Sequence, residues 1–357
     1  MRIYLKREFF GDREFLLAEN NNMKATAFKY STGVEAIKVE NKKGYFIILP
    51  FQGQQIWRAC FLGKDLVMRT SFEEPVPTTE YLETYGGFLV HCGVQGMGVP
   101  QAGDTHKQHG EVPNVAYQKA YMEIGKDYMT VGGVYEYNKS FVKHYLFNPE
   151  CSLQEDDTVL KVKVRLENKR HEPLEYMYLC HINFRPIDGA ELIYSADYDS
   201  SGVKVHKLIG DGVPKEEAEK LMAYMEAVEK DPTLHHKVGA PGQLYDPEIC
   251  FTIYYKGDEN GRAYTLQYNE EGACYVSHPV EQLPIGIRWI SRKIDEQSMG
   301  MVLPATAEHL GYTDAKSKGQ IKVLQGMESV EFNIEAGYLE KERADQVKTK
   351  IEQIKNN

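Results

Sequence analysis

The run Leu160-Lys161-Val162-Lys163-Val164-Arg165-Leu166 constrains this chain more than any other stretch. Its strict alternation puts four aliphatic side chains on one side of an extended backbone and three cations on the other. That is the pattern of a strand in a half-solvated antiparallel sheet. Asn168-Lys169-Arg170-His171 then turns the chain, and Leu174 to Phe184 runs back as a long apolar strand ended by Pro186.

Similar signals recur along most of the length. Ala25, Ala27 and Val34 to Val39 are short apolar stretches parted by Ser31-Thr32-Gly33. Tyr45 to Leu49 is a buried-strand run that Pro50 ends. Ala120 to Thr130 and Val131 to Tyr137 read as two strands joined near Gly132-Gly133. Ile249 to Tyr255, Ala263 to Tyr268, Ala273 to Ser277, Ile285 to Ile290 and Met299 to Leu303 follow. Two segments break the pattern. Pro214 opens a helix near 214–230, with Glu216-Glu217 in its first turn and Leu221, Met225 and Val228 at helical spacing. A charged helix near 339–354 carries Ala344, Val347, Ile351 and Ile354, and is too short for a dimerising coil. Residues 1–357 therefore read as one large antiparallel β-sandwich with a few peripheral helices, since no repeat or linker cuts the chain.

Several functions are excluded. A net charge of −10 argues against nucleic acid. No apolar run is long enough to span a bilayer, and the N-terminus lacks a signal-peptide core, so a cytoplasmic location is expected. The six Cys are scattered and read as reduced thiols. His91-Cys92 and Cys180-His181 lack zinc-ligand spacing, so neither a metal nor a cofactor is expected. His235-His236 read as a solvated pair in a Pro/Gly-rich loop. With 24 Tyr the chain suits both β-structure and polyhydroxylated ligands, because Tyr offers a ring face and a hydroxyl.

The stretch from Tyr85 to Asn114 is where a site is expected. An apolar run broken by Gly86-Gly87 marks a place where another backbone or a ligand comes close. His106 and His109 then stand three residues apart in a loop bounded by Gly and Pro.

Five motifs in order give the chain a family resemblance: Tyr30 to Ala36, Ile48 to Gly53, Gly86-Gly87-Phe88-Leu89 with Cys92-Gly93, His109-Gly110, and His181-Ile182-Asn183-Phe184-Arg185-Pro186. Together they resemble the aldose 1-epimerases, or galactose mutarotase-like proteins, most closely an uncharacterised branch carrying a domain of unknown function. The resemblance implies a supertwisted β-sandwich with a sugar-binding cleft on a concave sheet face. It also implies an isomerase that opens and recloses an aldose ring, using a carboxylate base at the C1 hydroxyl and a His acid at the ring oxygen. On this sequence His109 matches the first His and His181 the second, the expected general acid. Asp246, Arg185, Arg58 and Trp289 are the expected sugar-binding residues. The family's basic Glu aligns with Leu303, which cannot take a proton, so Glu308 is the expected base, with Glu111 and Glu248 as alternatives. Two other readings stay open: a non-catalytic carbohydrate-binding protein, or an enzyme for a keto, acidic or glycosidic sugar that meets Arg58, Lys107 or Arg185. No oligomeric state follows from the sequence.

Overall fold

The computed structural model describes residues 1–20, 22–210 and 212–356. Two antiparallel sheets, of nine and thirteen strands, face each other across a shared core. The alternating stretch forms the strand Val159–Asn168 in the smaller sheet, between Lys143–Gln154 and Ser329–Glu340. Its aliphatic residues are buried while Lys161, Lys163 and Arg165 are exposed, as the alternation requires. Phe332 of the neighbouring strand stacks on Tyr178 of the other sheet, with ring centroids 4.7 Å apart, which joins the two layers.

The helix Lys215–Lys230 buries Leu221, Met225 and Val228 in the main core. The terminal helix Lys341–Lys355 lays Ala344, Ile351 and Ile354 on the outer face of the smaller sheet, against Leu266 and Tyr275. Its apolar stripe is thus spent on its own sheet. Among the described residues no helix is long and apolar enough to cross a membrane. All six cysteines are free thiols.

Three local readings are corrected or narrowed. The break between the strands around residue 125 falls between Lys119–Ile124 and Tyr128–Lys139, leaving Gly132-Gly133 inside the second strand. These glycines make room for side chains, since a Cβ would lie 2.7 Å from Tyr121 Cζ at Gly132 and 2.5 Å from Gln54 Nε2 at Gly133. The close approach expected at Gly86 and Gly87 comes from protein: a Cβ would lie 3.0 Å from the Thr70 side chain at Gly86, and 3.2 Å from both the Gln55 side chain and the Ile56 carbonyl at Gly87. His235 and His236 are buried rather than solvated. His235 Nε2 accepts from the Arg288 guanidinium at 2.6 Å, and Tyr194 Oη lies 2.9 Å from His236 Nε2.

The larger sheet positions the site. Five neighbouring strands run in the order Ile249–Ile253, Ile285–Arg292, Gln297–Ala305, Leu174–Ile182 and Leu89–Val94. Alternate residues of each strand serve different layers. Tyr178, Cys180 and Ile182 join the inter-sheet core, while Met177 and Leu179 belong to a second cluster on the outer face, with Val90, Cys92, Ile285 and Ile287. In Gln297–Ala305 a bulge changes the parity: Ile287 pairs with Leu303 but Trp289 with Gly300. Met301 and Val302 both face the core, and Leu303 and Ala305 are turned to the outer face.

Burial of imidazoles sets the acid limit of this fold. Loss of hydration pushes His91, His236 and His278 down to about 3. Unfolded, each binds a proton near pH 6.5, so between that value and about 3 the unfolded chain holds more protons. Stability is therefore fully present above about pH 6.5 and is lost as pH falls below it. The melting temperature should already decline between about pH 6.5 and 5, before carboxylates of ordinary pKa near 4 take up protons. A constant melting temperature across that interval would contradict the account.

Candidate functional site

His181 follows Cys180 near the end of Leu174–Ile182, and parity turns it to the outer face beside Leu179. The same rule sends His91 the other way, into the core, where its Nδ1 meets Tyr178 Oη at 2.9 Å. His181 is 4% exposed, and its Nδ1 lies 2.8 Å from Asn183 Oδ1. The Asn183 amide nitrogen donates to the Gly87 carbonyl at 3.0 Å, which fixes which end of the carboxamide faces the imidazole. An oxygen there can only accept, so His181 Nδ1 carries the proton and Nε2 keeps a bare lone pair. Tyr85 Oη also donates to Asn183 Oδ1, at 3.0 Å, and stands 3.4 Å from both ring nitrogens, too far to compete for Nε2. Burial pulls the His181 pKa down to about 4, although the Asn183 bond offsets part of that drop.

His109 reaches the same place from the loop after Leu89–Val94. Its NH donates to the Gly98 carbonyl and its carbonyl accepts from the Gly93 NH, both at 2.9 Å. The residue takes φ of 58°, a left-handed conformation that His tolerates better than most residues. Gly110 continues at φ 85°, where a Cβ would stand 2.1 Å from the Gly93 carbonyl oxygen. The loop is thus clamped to the strand, and its imidazole sits with ring centroid 5.2 Å from that of His181. Burial, reinforced by the neighbouring His181, holds the His109 pKa well below the usual range. Its Nδ1 is sealed from solvent without a partner, so no protein group fixes its tautomer. His106, its neighbour in the sequence pattern, is occupied elsewhere, with Nδ1 2.7 Å from the Lys107 carbonyl and Nε2 accepting from the Tyr312 NH.

Both imidazoles line a cleft of about 140 Å³, together with Tyr81, Tyr85, Leu179, Leu303 and Trp289. The aromatic rings interlock: Tyr81 to His109 is 4.7 Å, Tyr85 to His181 5.7 Å and His181 to Trp289 5.5 Å between centroids. Leu303, the position where a basic Glu was expected, forms part of the wall. Glu248 is the carboxylate at the rim, accepting from Trp289 Nε1 at 2.5 Å.

A third imidazole, His309, also lines the cleft. Burial and the neighbouring His206 hold it at about 3. The sequence reading passed over it, yet a signal was present. Leu303, Ala305 and Ala307 share the outer face, and His309 continues that two-residue step. Gly98 pins the two loops together, because a Cβ there would fall 1.7 Å from the His309 carbonyl oxygen.

The remaining expected residues lie elsewhere. Glu308 has the opposite parity from His309 and does not line the cleft. Its buried carboxylate accepts from Lys204 at 2.9 Å, Lys318 at 3.1 Å and Tyr254 at 3.3 Å. Burial alone would raise its pKa, but the two ammonium groups outweigh that and hold it at about 2. Arg58 gives its guanidinium to the carbonyls of Trp57, Gly86, Phe72 and Glu73, bracing the segment before Tyr85. Arg185 is taken by the Val67 carbonyl and Asp65. Glu111 is half-buried and accepts from Tyr145 and the backbone NH of Val94 and Gln95. Asp246 lines the depression next to the cleft.

Residues 31–197 match the model of a domain of unknown function, DUF4432, a span that includes His109 and His181 but not Trp289 or His309. No curated protein matches the chain. Among solved structures, a candidate aldose 1-epimerase from Klebsiella pneumoniae aligns over 97% of this chain and 92% of its own, with a TM-score of 0.79 and 16% identity. A galactose mutarotase-like protein from Clostridium acetobutylicum aligns over 90% of this chain and 100% of its own (TM-score 0.59, 15% identity). One from Lactobacillus casei aligns over 85% and 100% (TM-score 0.53, 13% identity). The fold is that of the galactose mutarotase-like β-sandwich.

The tautomer is directly measurable. Nitrogen NMR at neutral pH should show His181 protonated at Nδ1 only, titrating near pH 4. Replacing Asn183 with Leu should release that preference and cost about 1–3 kcal/mol of unfolding free energy, because the buried imidazole NH loses its acceptor. A His181 signal protonated at Nε2 in the wild type would refute the arrangement.

Proposed function

We propose that this chain binds a free aldose in the cleft and interconverts its anomers, with His181 Nε2 moving the proton. The observation that carries the reading is the bare, buried Nε2 lone pair beside a second imidazole in an aromatic-walled cleft. Sugar rings fit such walls because their C–H faces pack on Trp and Tyr while their hydroxyls find polar edges.

Ring opening needs one proton removed from the anomeric hydroxyl O1 and one delivered to the ring oxygen O5. Both oxygens are bonded to C1, so one nitrogen can serve both. His181 Nε2 takes the O1 proton and becomes imidazolium. The O1 electron pair forms the carbonyl, the C1–O5 bond breaks, and its pair goes to O5. The imidazolium then gives its proton to O5, leaving a neutral imidazole and the open-chain aldehyde. After rotation about C1–C2, the reverse steps close the ring to the other anomer. His109, whose tautomer is free, offers an NH to the developing charge on O5. A depressed pKa suits this shuttle, since the imidazolium gives up its proton readily and the resting state is the base. Such a route uses no separate carboxylate, which accommodates Leu303 in the wall and Glu308 held away by its lysines. Here His181 is both base and acid, instead of acid alone as the resemblance implied.

Leu303 also favours a second reading, a carbohydrate-binding protein without turnover. The two separate cleanly. Exchange NMR on a panel of free aldoses should show anomer interconversion faster than in buffer, reduced about 10²–10⁴-fold in His181→Ala. The pH profile of kcat/KM should hold level down to about pH 5 and fall through about 4, as Nε2 protonates. Sugar-dependent thermal stabilisation with exchange no faster than buffer would replace the isomerase by the binding protein.

A further inference from the structure

Beside the cleft, and sharing Leu82, Tyr85, Glu248 and Trp289 with its lining, lies a depression of about 550 Å³. The inner cleft alone is smaller than the roughly 300–1,000 Å³ usual for small-molecule sites, whereas the depression falls within that range. The two share four side chains, so the outer space is the nearest room for any part of a ligand that extends beyond the imidazoles.

That space has a marked charge. Glu217, Asp246, Glu248 and Glu296 line it against one ammonium, Lys293. Glu248 and Glu296 accept from neutral donors, Trp289 Nε1 at 2.5 Å and Ser71 Oγ at 2.9 Å. Among the described residues no cation lies within ion-pair distance of any of the four carboxylates. An independent observation also points to a ligand here: Ser298 lines the depression, is fully buried, and its hydroxyl has no hydrogen-bond partner. A buried hydroxyl left unpaired costs free energy that an incoming polar group would recover. The aromatic faces of Trp289 and Tyr85 at the junction add attraction for a cation.

We propose that the outer depression receives an ammonium-bearing group, so that the ligand is an amino-substituted saccharide longer than one ring. This rests on the reading of the cleft as a sugar site and names the class of sugar. It reverses the expectation of an acidic sugar met by arginines, because Arg58 and Arg185 are engaged elsewhere and carboxylates surround the entrance instead.

Calorimetric titration with three β-1,4-linked disaccharides tests it: that of glucosamine, its N-acetylated form, and cellobiose. At about pH 6.5 and low salt, where such amines are protonated, the diamine should bind about tenfold more tightly than the other two. Added salt should shrink the advantage. So should the double substitution Glu217→Gln and Asp246→Asn, on two exposed side chains. Equal affinity of the three probes for the wild type would overturn the inference. Tight binding of the diamine without anomer exchange would sustain it while removing the catalytic reading. Exchange on neutral sugars with no advantage for the amine would do the reverse.

Discussion

The Asn183 carboxamide is the contact on which the site depends. It is fully buried, with its nitrogen held by the Gly87 carbonyl and its oxygen shared by His181 and Tyr85. A buried amide with every group paired has one orientation, and that orientation selects one imidazole tautomer. Without it, His181 would be a neutral ring of undefined polarity among aromatic neighbours. With it, the lone pair that can do chemistry is left on Nε2, beside His109.

Burial supplies the second condition. The three imidazoles that line the cleft, His109, His181 and His309, have pKa values below the usual range because a charged ring would lose its hydration there. The resting site is therefore a set of neutral rings, which favours accepting a proton from a hydroxyl over donating one. The charged groups stand outside that ring: Glu308 among its lysines behind His309, and the carboxylates of the depression at the mouth. The division leaves an apolar, aromatic centre and a negative entrance.

Much of this was legible in the residues. Period-two alternation identified Val159–Asn168 as a strand, and helical spacing at Leu221, Met225 and Val228 marked the helix Lys215–Lys230. The order of motifs indicated the sandwich and placed His109 and His181 together. Parity could have gone further: stepping by two from Leu303 reaches His309 and excludes Glu308. Other features lie beyond local pattern. The bulge that turns Leu303 outward lies in the pairing with the preceding strand, where Ile287 meets Leu303 but Trp289 meets Gly300, and no residue type in Gln297–Ala305 announces it. Arg58 and Arg185 carry the same charge whether they meet a ligand or brace loops, and only the fold shows that backbone carbonyls and Asp65 hold them. Gly132 and Gly133 look like a turn, but their missing side chains make room for Tyr121 and Gln54 from distant segments.

The central claim is that two imidazoles far apart in the chain form one sugar-handling surface on the outer face of the larger sheet. A crystal structure of the protein soaked with a free aldose tests it most directly. The account places the sugar ring against Trp289, with O1 and O5 about 2.6–3.2 Å from His181 Nε2 and an imidazole nitrogen of His109 close to O5. A sugar bound elsewhere on the molecule, or lying in the cleft with its anomeric carbon turned away from both rings, would contradict it.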